Sequence, residues 1–219
     1  MGLLGDSVKK SSGNTDVNAS EARKIAPQMN PAQEVCNALT MLPTACLALG
    51  ALLAPGSLPG VGASLGDAVL ALAILLHLPF SFFYHIHCAL RHGQVDPVEN
   101  NAFLKLDLVF IHIAGSFMAL ATSRSPAWFA IVVAFNGVSA YRTALWCNSA
   151  VERRICRFGC ALAYMLPIIA IDLALFAWAV LAFLLMALPF VLNQHLRGWG
   201  HSLSHVLLTP LALCLFAAA

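Results

Sequence analysis

From Phe158 to Leu192 the chain is almost continuously apolar, with Asp172 as its one charged residue. A helix that crosses the hydrocarbon core of a bilayer needs about 20 mostly apolar residues. The run is too long for one such helix and long enough for two tight ones, so a short turn is expected at Asp172. A soluble fold must still carry a charged surface. Here only 10% of the residues are charged and 60% are hydrophobic, against about 25% charged in ordinary soluble domains. A solvent that is itself apolar removes the need for charge. Every backbone polar group in that solvent must be paired within the protein, which makes helix the default. The expected fold class is all-α, an integral membrane bundle.

The other apolar runs complete the expected architecture. The first span covers Val35–Pro55 and is closed by the Gly-, Ser- and Pro-rich loop Gly56–Gly66. The second covers Asp67–Leu90 and is followed by the polar stretch Arg91–Asn101. The third covers Ala102–Thr122, closed by Ser123–Pro126, and the fourth Ala127–Trp146. The charged stretch Glu152–Arg154, with Arg157 beyond it, precedes the fifth and sixth spans in Phe158–Leu192, where Pro167 and Pro189 are candidate kinks. After the polar stretch Asn193–Gly200, a last span covers His201–Ala218. The expected total is seven transmembrane helices over residues 34–219.

Residues 1–33 differ in kind, being polar and free of apolar runs, and read as a disordered cytoplasmic tail. No apolar stretch of the kind a secretory signal requires occurs there. The opening Met1-Gly2 does not continue as a myristoylation motif, because Asp6 stands where Ser or Thr is needed. Orientation follows from Lys and Arg near the span ends. Lys9, Lys10, Arg23, Lys24, Arg91, Lys105, Arg153, Arg154, Arg157 and Arg197 fall on one side, whereas Arg124 stands alone on the other. Arg142 lies inside the fourth span and is not counted. The N-terminus is expected to be cytoplasmic and the C-terminus outside or lumenal. The net charge of +2 does not point to nucleic acid, and no nucleic-acid motif, phosphate loop or nucleophile elbow is present.

Ionisable groups inside a span are costly and are retained mainly for function. Ser81 and His85 stand in SFFYHIHC, Asp107 in FLKLDLVFIHIAGSF, and His201 and His205 in HSLSH. Residues four apart stack on one helix face, so His201 and His205 can reach one metal ion, and Ser81 and His85 share a face in the same way. In the expected topology all these positions lie at the cytoplasmic ends of their helices, at a common depth. Three His ligands with an open fourth position form a catalytic zinc arrangement. Zinc lowers the pKa of bound water towards about 7. No Glu follows His201 as in the soluble metalloprotease motif, so Asp107 is the candidate base and Ser81 a hydrogen-bonding partner for water or a substrate carbonyl.

Each of these residues has a plainer reading. The His pair can cap and bond loop carbonyls, Ser81 can bond its own helix backbone, and Asp107 can pair with Lys105 or Arg91. His77, one turn before Ser81, either lines the same cavity or is packed. His87 and His112 are expected to be interfacial or paired, and His92 and His195 to be solvated in loops. The seven cysteines form no C-x-x-C pair and read as small apolar residues.

The ordered set of motifs resembles the progestin and adipoQ receptor family, which includes adiponectin receptors and bacterial hemolysin III proteins. Glu34-Val-Cys-Asn37-Ala-Leu-Thr40 is similar to its E-x-x-N-x-x-T-H, with Met41 in place of the His. Ser81-Phe-Phe-Tyr-His85 is similar to its S-x-x-x-H, Phe103-Leu-Lys105-Leu-Asp107 with Gly115-Ser-Phe to its F-x-K-L-D and G-S-F, and His201-Ser-Leu-Ser-His205-Val to its H-x-x-x-H-V. The resemblance implies seven helices and zinc held by His85, His201 and His205, with Asp107 and Ser81 beside the metal-bound water. It also implies hydrolysis of ceramide-type lipid amides in some members and hormone reception in others. Alkaline ceramidases share the wider pattern in the opposite orientation, and the basic residues here favour the receptor and hemolysin side. The expected function is a zinc-dependent hydrolase of lipid amide or ester bonds whose partner is a membrane lipid such as a ceramide-like substrate. The alternative is a heptahelical receptor or signalling protein with a structural zinc. A pore is disfavoured because no ring of pore-lining charges appears.

Overall fold

The structure, a computed structural model, describes residues 29–58, 61–92, 101–145 and 149–219. The chain forms an all-helical bundle, with no strand among the described residues. In chain order the helices are α1 (Pro31–Leu39), α2 (Leu42–Leu53), α3 (Leu65–Leu90), α4 (Ala102–Ser123), α5 (Pro126–Ala144), α6 (Ala150–Met165), α7 (Leu173–Val191) and α8 (Gly200–Ala218). A short 3-10 helix, Leu166–Ala170, joins α6 to α7. Most of the expected tail, with its Met1-Gly2 start, lies outside the described residues, as does Cys147. The expected boundary at residue 33 is corrected, because α1 already begins at Pro31 and buries Gln33.

The polar residues between the apolar runs act as caps. Asn30 with Gln33, Ser64 with Asp67, and Ser149 with Glu152 form reciprocal capping boxes at the starts of α1, α3 and α6. Asn101 and Ser125 cap α4 and α5 through single bonds, and Pro126 takes the first position of α5, where an N–H is not needed. Asp172, the expected turn, is the N-cap of α7 and accepts from the Ala174 and Leu175 N–H groups. Each such cap contributes about 1 kcal/mol. The Ser149 main-chain N–H donates to Glu152, which holds this exposed carboxyl below its ordinary range. Glu152 also pairs with Arg142 at 3.0 Å, tying the end of α5 to the start of α6.

Two boundaries differ from expectation for identifiable reasons. The first apolar segment is two helices, broken at Thr40–Met41. Pro43 has no N–H to give to the Leu39 carbonyl, and the Thr40 hydroxyl turns back onto the Cys36 and Asn37 carbonyls at 2.8 and 3.1 Å. The fifth helix begins at Ala150, not Phe158, so the charged stretch Glu152–Arg154 lies within α6. Pro167 does not kink a longer helix; α6 ends before it and the chain tightens into the 3-10 turn.

The segments Pro31–Leu53 (α1 with α2), α3, α4, α7 and α8 are long and apolar enough to cross a membrane. α5 and α6 do not reach that mark. The distribution of side chains fits an apolar solvent. Ala38, Ala48, Ala71, Ala119 and Ala179 are fully buried, whereas Leu53, Leu72, Ile131, Leu173, Trp178 and Leu188 face outward. Small residues inside let helix backbones approach where no hydrophobic effect drives them together. Interhelical hydrogen bonds add to this. The Thr122 hydroxyl donates to the Tyr164 carbonyl at 2.8 Å, the Trp128 indole to the Ala163 carbonyl at 2.9 Å, and Thr44 bonds Thr209 at 2.8 Å. α4 packs extensively against α3, α5 and α6, while α7 and α8 form a tight pair. α1 and α2 pack along α3 and also reach α8.

Candidate metal centre

His85 lies near the end of α3, while His201 and His205 occupy the first two turns of α8. The antiparallel arrangement brings the three rings together at one end of the bundle, as the sequence spacing predicts. One ligand atom from each ring can be chosen so that all three lie within 4.8 Å of one another. His201 Nε2 and His205 Nε2 stand 3.1 Å apart. The His85 ring centroid is 4.9 Å from that of His201 and 5.3 Å from that of His205. His85 and His205 are buried, and His201 is partly exposed.

The outer nitrogens of two rings are committed elsewhere. His85 Nδ1 lies 2.7 Å from Glu34 Oε2, and His205 Nδ1 lies 2.7 Å from the Asn37 main-chain oxygen. Carboxylate and carbonyl oxygens accept, so both Nδ1 atoms carry protons. Both Nε2 atoms then present lone pairs to the shared space, which also holds His201 Nε2. Lone pairs gathered in this way need a cation or a bridging proton between them. With Zn–N bonds of about 2.0–2.1 Å, tetrahedral ligand nitrogens stand roughly 3.3 Å apart, close to the observed His201–His205 separation. The residues present therefore fit a metal ion held by His85, His201 and His205.

α1 and the segment before α8 brace this cluster. The Ser202 hydroxyl donates to Asn37 Oδ1 at 2.5 Å, and the Gln33 side-chain amide donates to the Arg197 carbonyl at 2.6 Å. The His201 main-chain N–H donates to Asn193 Oδ1 at 3.1 Å, replacing a capping bond at the start of α8. Arg197 and Gly198 adopt positive φ, and this sharp reversal brings the chain from α7 into α8 within a few residues. Gly200 packs against the Pro189 carbonyl, where any Cβ would collide. Phe190 stacks edgewise on His201 with centroids 5.2 Å apart, and Arg157 covers the outer face of Phe190.

Ser81 lies one turn before His85 on α3, and Asp107 of α4 stands beside it, next to this cluster. The direct partner of Asp107 is His77, whose Nε2 is 2.9 Å from Asp107 Oδ1, and Ser81 faces the same carboxylate. His77, Ser81 and His85 thus form one stripe on α3, with Asp107 of α4 opposite its first two members.

Glu34 and Asn37 were visible in the sequence only as parts of a motif, with no chemical role assigned. The available signal was an acid and an amide three residues apart at the head of an apolar run, on one helix face. His112 belongs to a separate buried network. Its Nδ1 bonds Asn136 Oδ1 at 3.1 Å, and the Asn136 amide donates to the Ser116 hydroxyl at 3.0 Å. Gly115 leaves room there for Cys160, so this part of the sequence joins α4, α5 and α6 and does not reach the metal centre. His87 packs on Phe103, and His92 and His195 are exposed. Neither family models, curated proteins nor solved structures yield a match to this chain.

Proposed function

We propose that the chain is a zinc-dependent membrane hydrolase of lipid amide or ester bonds, related to the progestin and adipoQ receptor family. The observation that carries this reading is the convergence of three imidazoles next to a buried carboxylate, inside a bundle whose outer surface is apolar. His85, His201 and His205 would hold the ion through their inward nitrogens. When bound, zinc supplies Lewis acidity, polarising a carbonyl and making hydroxide available near neutral pH. Asp107 would accept the proton released as water attacks the lipid carbonyl and would pass it to the departing amine or alcohol oxygen as the C–N or C–O bond breaks, leaving the free fatty acid. His77 holds that carboxylate in place through its Nε2–H, and Ser81 donates to the developing oxyanion. The apolar surroundings suit a long-chain lipid of the ceramide type, with its amide at the depth of the histidines. In this reading the histidine end of the bundle is cytoplasmic, as the bias of the basic residues favours, with the N-terminus inside and seven spans in all.

The deciding assay incubates purified, zinc-loaded protein with ceramides and related acyl lipids and follows fatty-acid release. Turnover that disappears in His205→Ala supports the proposal. A zinc-loaded protein that cleaves none of them overturns it.

One observation favours a second reading, in which the zinc is structural and the protein acts as a receptor or signalling element. α3 packs mainly against α4, α1 and α2, and only sparsely against α8. An ion bound by His85 on one side and His201 and His205 on the other would fasten two helices that otherwise hardly touch. In that case Asp107→Asn leaves metal content and signalling intact, whereas His201→Ala abolishes both.

A further inference from the structure

Glu34 is buried to within 6% of full coverage, near one end of the first membrane segment. Its carboxylate touches His85 Nδ1 at 2.7 Å and the Asn37 side-chain amide at 3.5 Å. Among the described residues no Lys or Arg forms an ion pair with it. A buried carboxylate without a balancing cation is costly, and in a bilayer more so. A dication among the three inward nitrogens supplies the missing charge one imidazole away from Glu34.

The carboxylate is also held firmly. Glu34 lies in the first turn of α1, which is fixed by the Asn30–Gln33 capping box. The same short helix is bonded to the chain before α8 through Gln33 and to α8 itself through Asn37. α1 stops at Leu39, so the segment that carries Glu34 is oriented by the metal-site end of the bundle and not by the long helix beyond it.

From this geometry we infer that Glu34 is a positioning residue for the metal centre, which fixes the tautomer of His85 and sets how tightly zinc is retained. The inference rests on the metal reading given above. A carboxylate behind a ligating histidine makes the imidazole a stronger donor and holds its ring in register, and loss of such a partner costs about 10–100-fold in metal affinity. Glu34→Gln keeps the size and an accepting oxygen but removes the charge. Glu34→Asp keeps the charge but withdraws it by one methylene.

The test uses full-length protein in detergent with zinc as the ligand. Zinc dissociation constants are measured by competition with a chromophoric chelator for wild type, Glu34→Gln, Glu34→Asp and His85→Ala. Melting temperatures of the zinc-stripped proteins are recorded beside them, together with visible spectra of the cobalt-loaded forms. Glu34→Gln should weaken zinc binding about 10–100-fold and alter the cobalt bands, with the zinc-stripped melting temperature unchanged. Glu34→Asp should weaken binding as well, because the contact with His85 is lost. Wild-type zinc affinity in Glu34→Gln overturns the inference while leaving the metal site intact. Equal losses of melting temperature with and without zinc also overturn it, since Glu34 would then act in packing alone. A wild-type protein that binds no zinc overturns both this inference and the metal reading on which it rests.

Discussion

His205 Nδ1 lies 2.7 Å from the main-chain oxygen of Asn37, so the last helix of the bundle takes its histidine orientation from the first. A main-chain carbonyl cannot be protonated or removed by substitution, which makes this a durable way to fix a tautomer. Nitrogen NMR of histidine-labelled, zinc-loaded protein should show His85 and His205 protonated at Nδ1 and metal-bound at Nε2. Metal coordination through Nδ1 of either residue would contradict the assignment.

Asp107 distinguishes the catalytic reading from the structural one. Its carboxylate bonds His77 and faces Ser81, and it makes no contact that the metal ligands need for their own orientation. Asp107→Asn should keep zinc and lower lipid turnover by roughly 10²–10⁴-fold, the usual contribution of a general base. His77→Phe should also keep zinc, but it leaves a buried carboxylate without its partner. A loss of about 1–3 kcal/mol in stability is expected, read as a fall in melting temperature. Unchanged turnover in Asp107→Asn with zinc still bound would favour the structural reading.

Gly200 tests how closely α7 and α8 must approach. A Cβ there would run into the Pro189 carbonyl and stand 2.9 Å from Asn193 Cα, both of them backbone atoms that cannot rotate away. Gly200→Ala should therefore cost at least the about 1–3 kcal/mol of ordinary overpacking. Because His201 follows directly, zinc content should fall along with the melting temperature. A variant with wild-type melting and full zinc occupancy would show that the helix pair yields more easily than its packing indicates.

Much of this arrangement can be read from the residues in order. The apolar runs locate the helices, Asp172 marks the turn before α7, and HSLSH places two rings on one face of α8. His85 joins them because adjacent helices alternate in direction. What could not be read depends on helix rotation and on distant contacts. Glu34 meets His85 across 51 residues of chain, and no local pattern encodes that approach. His77 was ambiguous for the same reason, since the rotation of α4 decides whether Asp107 faces it. The break at Thr40–Met41 was signalled by Pro43, but in an apolar run a proline predicts a kink as readily as a stop. Charged residues suggest a loop before α6, whereas Ser149 and Glu152 form a capping box that begins a helix among them.

The proposed orientation rests on the basic residues and is open to direct test. Arg91, Arg153, Arg154, Arg157 and Arg197 lie towards the histidine end of the bundle in sequence order, and Arg124 stands at the opposite turn between α4 and α5. Under the bias of basic residues towards the cytoplasm, Ser12→Cys should be protected from an impermeant thiol reagent in intact cells, and Ser57→Cys, in the exposed turn after α2 at the end away from the histidines, should react. The native cysteines are first replaced so that only these positions report. Labelling at position 12 alone would invert the orientation and point to the ceramidase branch.

Acid should release the metal, and the sign follows from the ligand set. Imidazole binds zinc only through a free lone pair, so protons compete with the ion for His85, His201 and His205. The complex carries fewer protons than the metal-free protein at low pH, so zinc affinity must fall as pH falls. An ordinary imidazole titrates near about 6.5. Well below the range in which the free ligands protonate, the logarithm of the dissociation constant should rise by up to about three for each pH unit, one for each ligand. Near neutral pH the dependence should be shallow. Zinc bound to the folded state adds stability in proportion to the logarithm of its occupancy ratio. The melting temperature in excess zinc should therefore exceed that of the stripped protein at neutral pH, and the two should converge on acidification. Zinc content after equilibrium dialysis across pH 4–8, with melting measured on the same samples, checks both curves. Zinc retained unchanged at the acid end would mean that ligands other than imidazole hold it. Convergence of the melting curves while the bundle stays folded would favour a catalytic ion, and unfolding at the point of release would favour one that fastens α3 to α8.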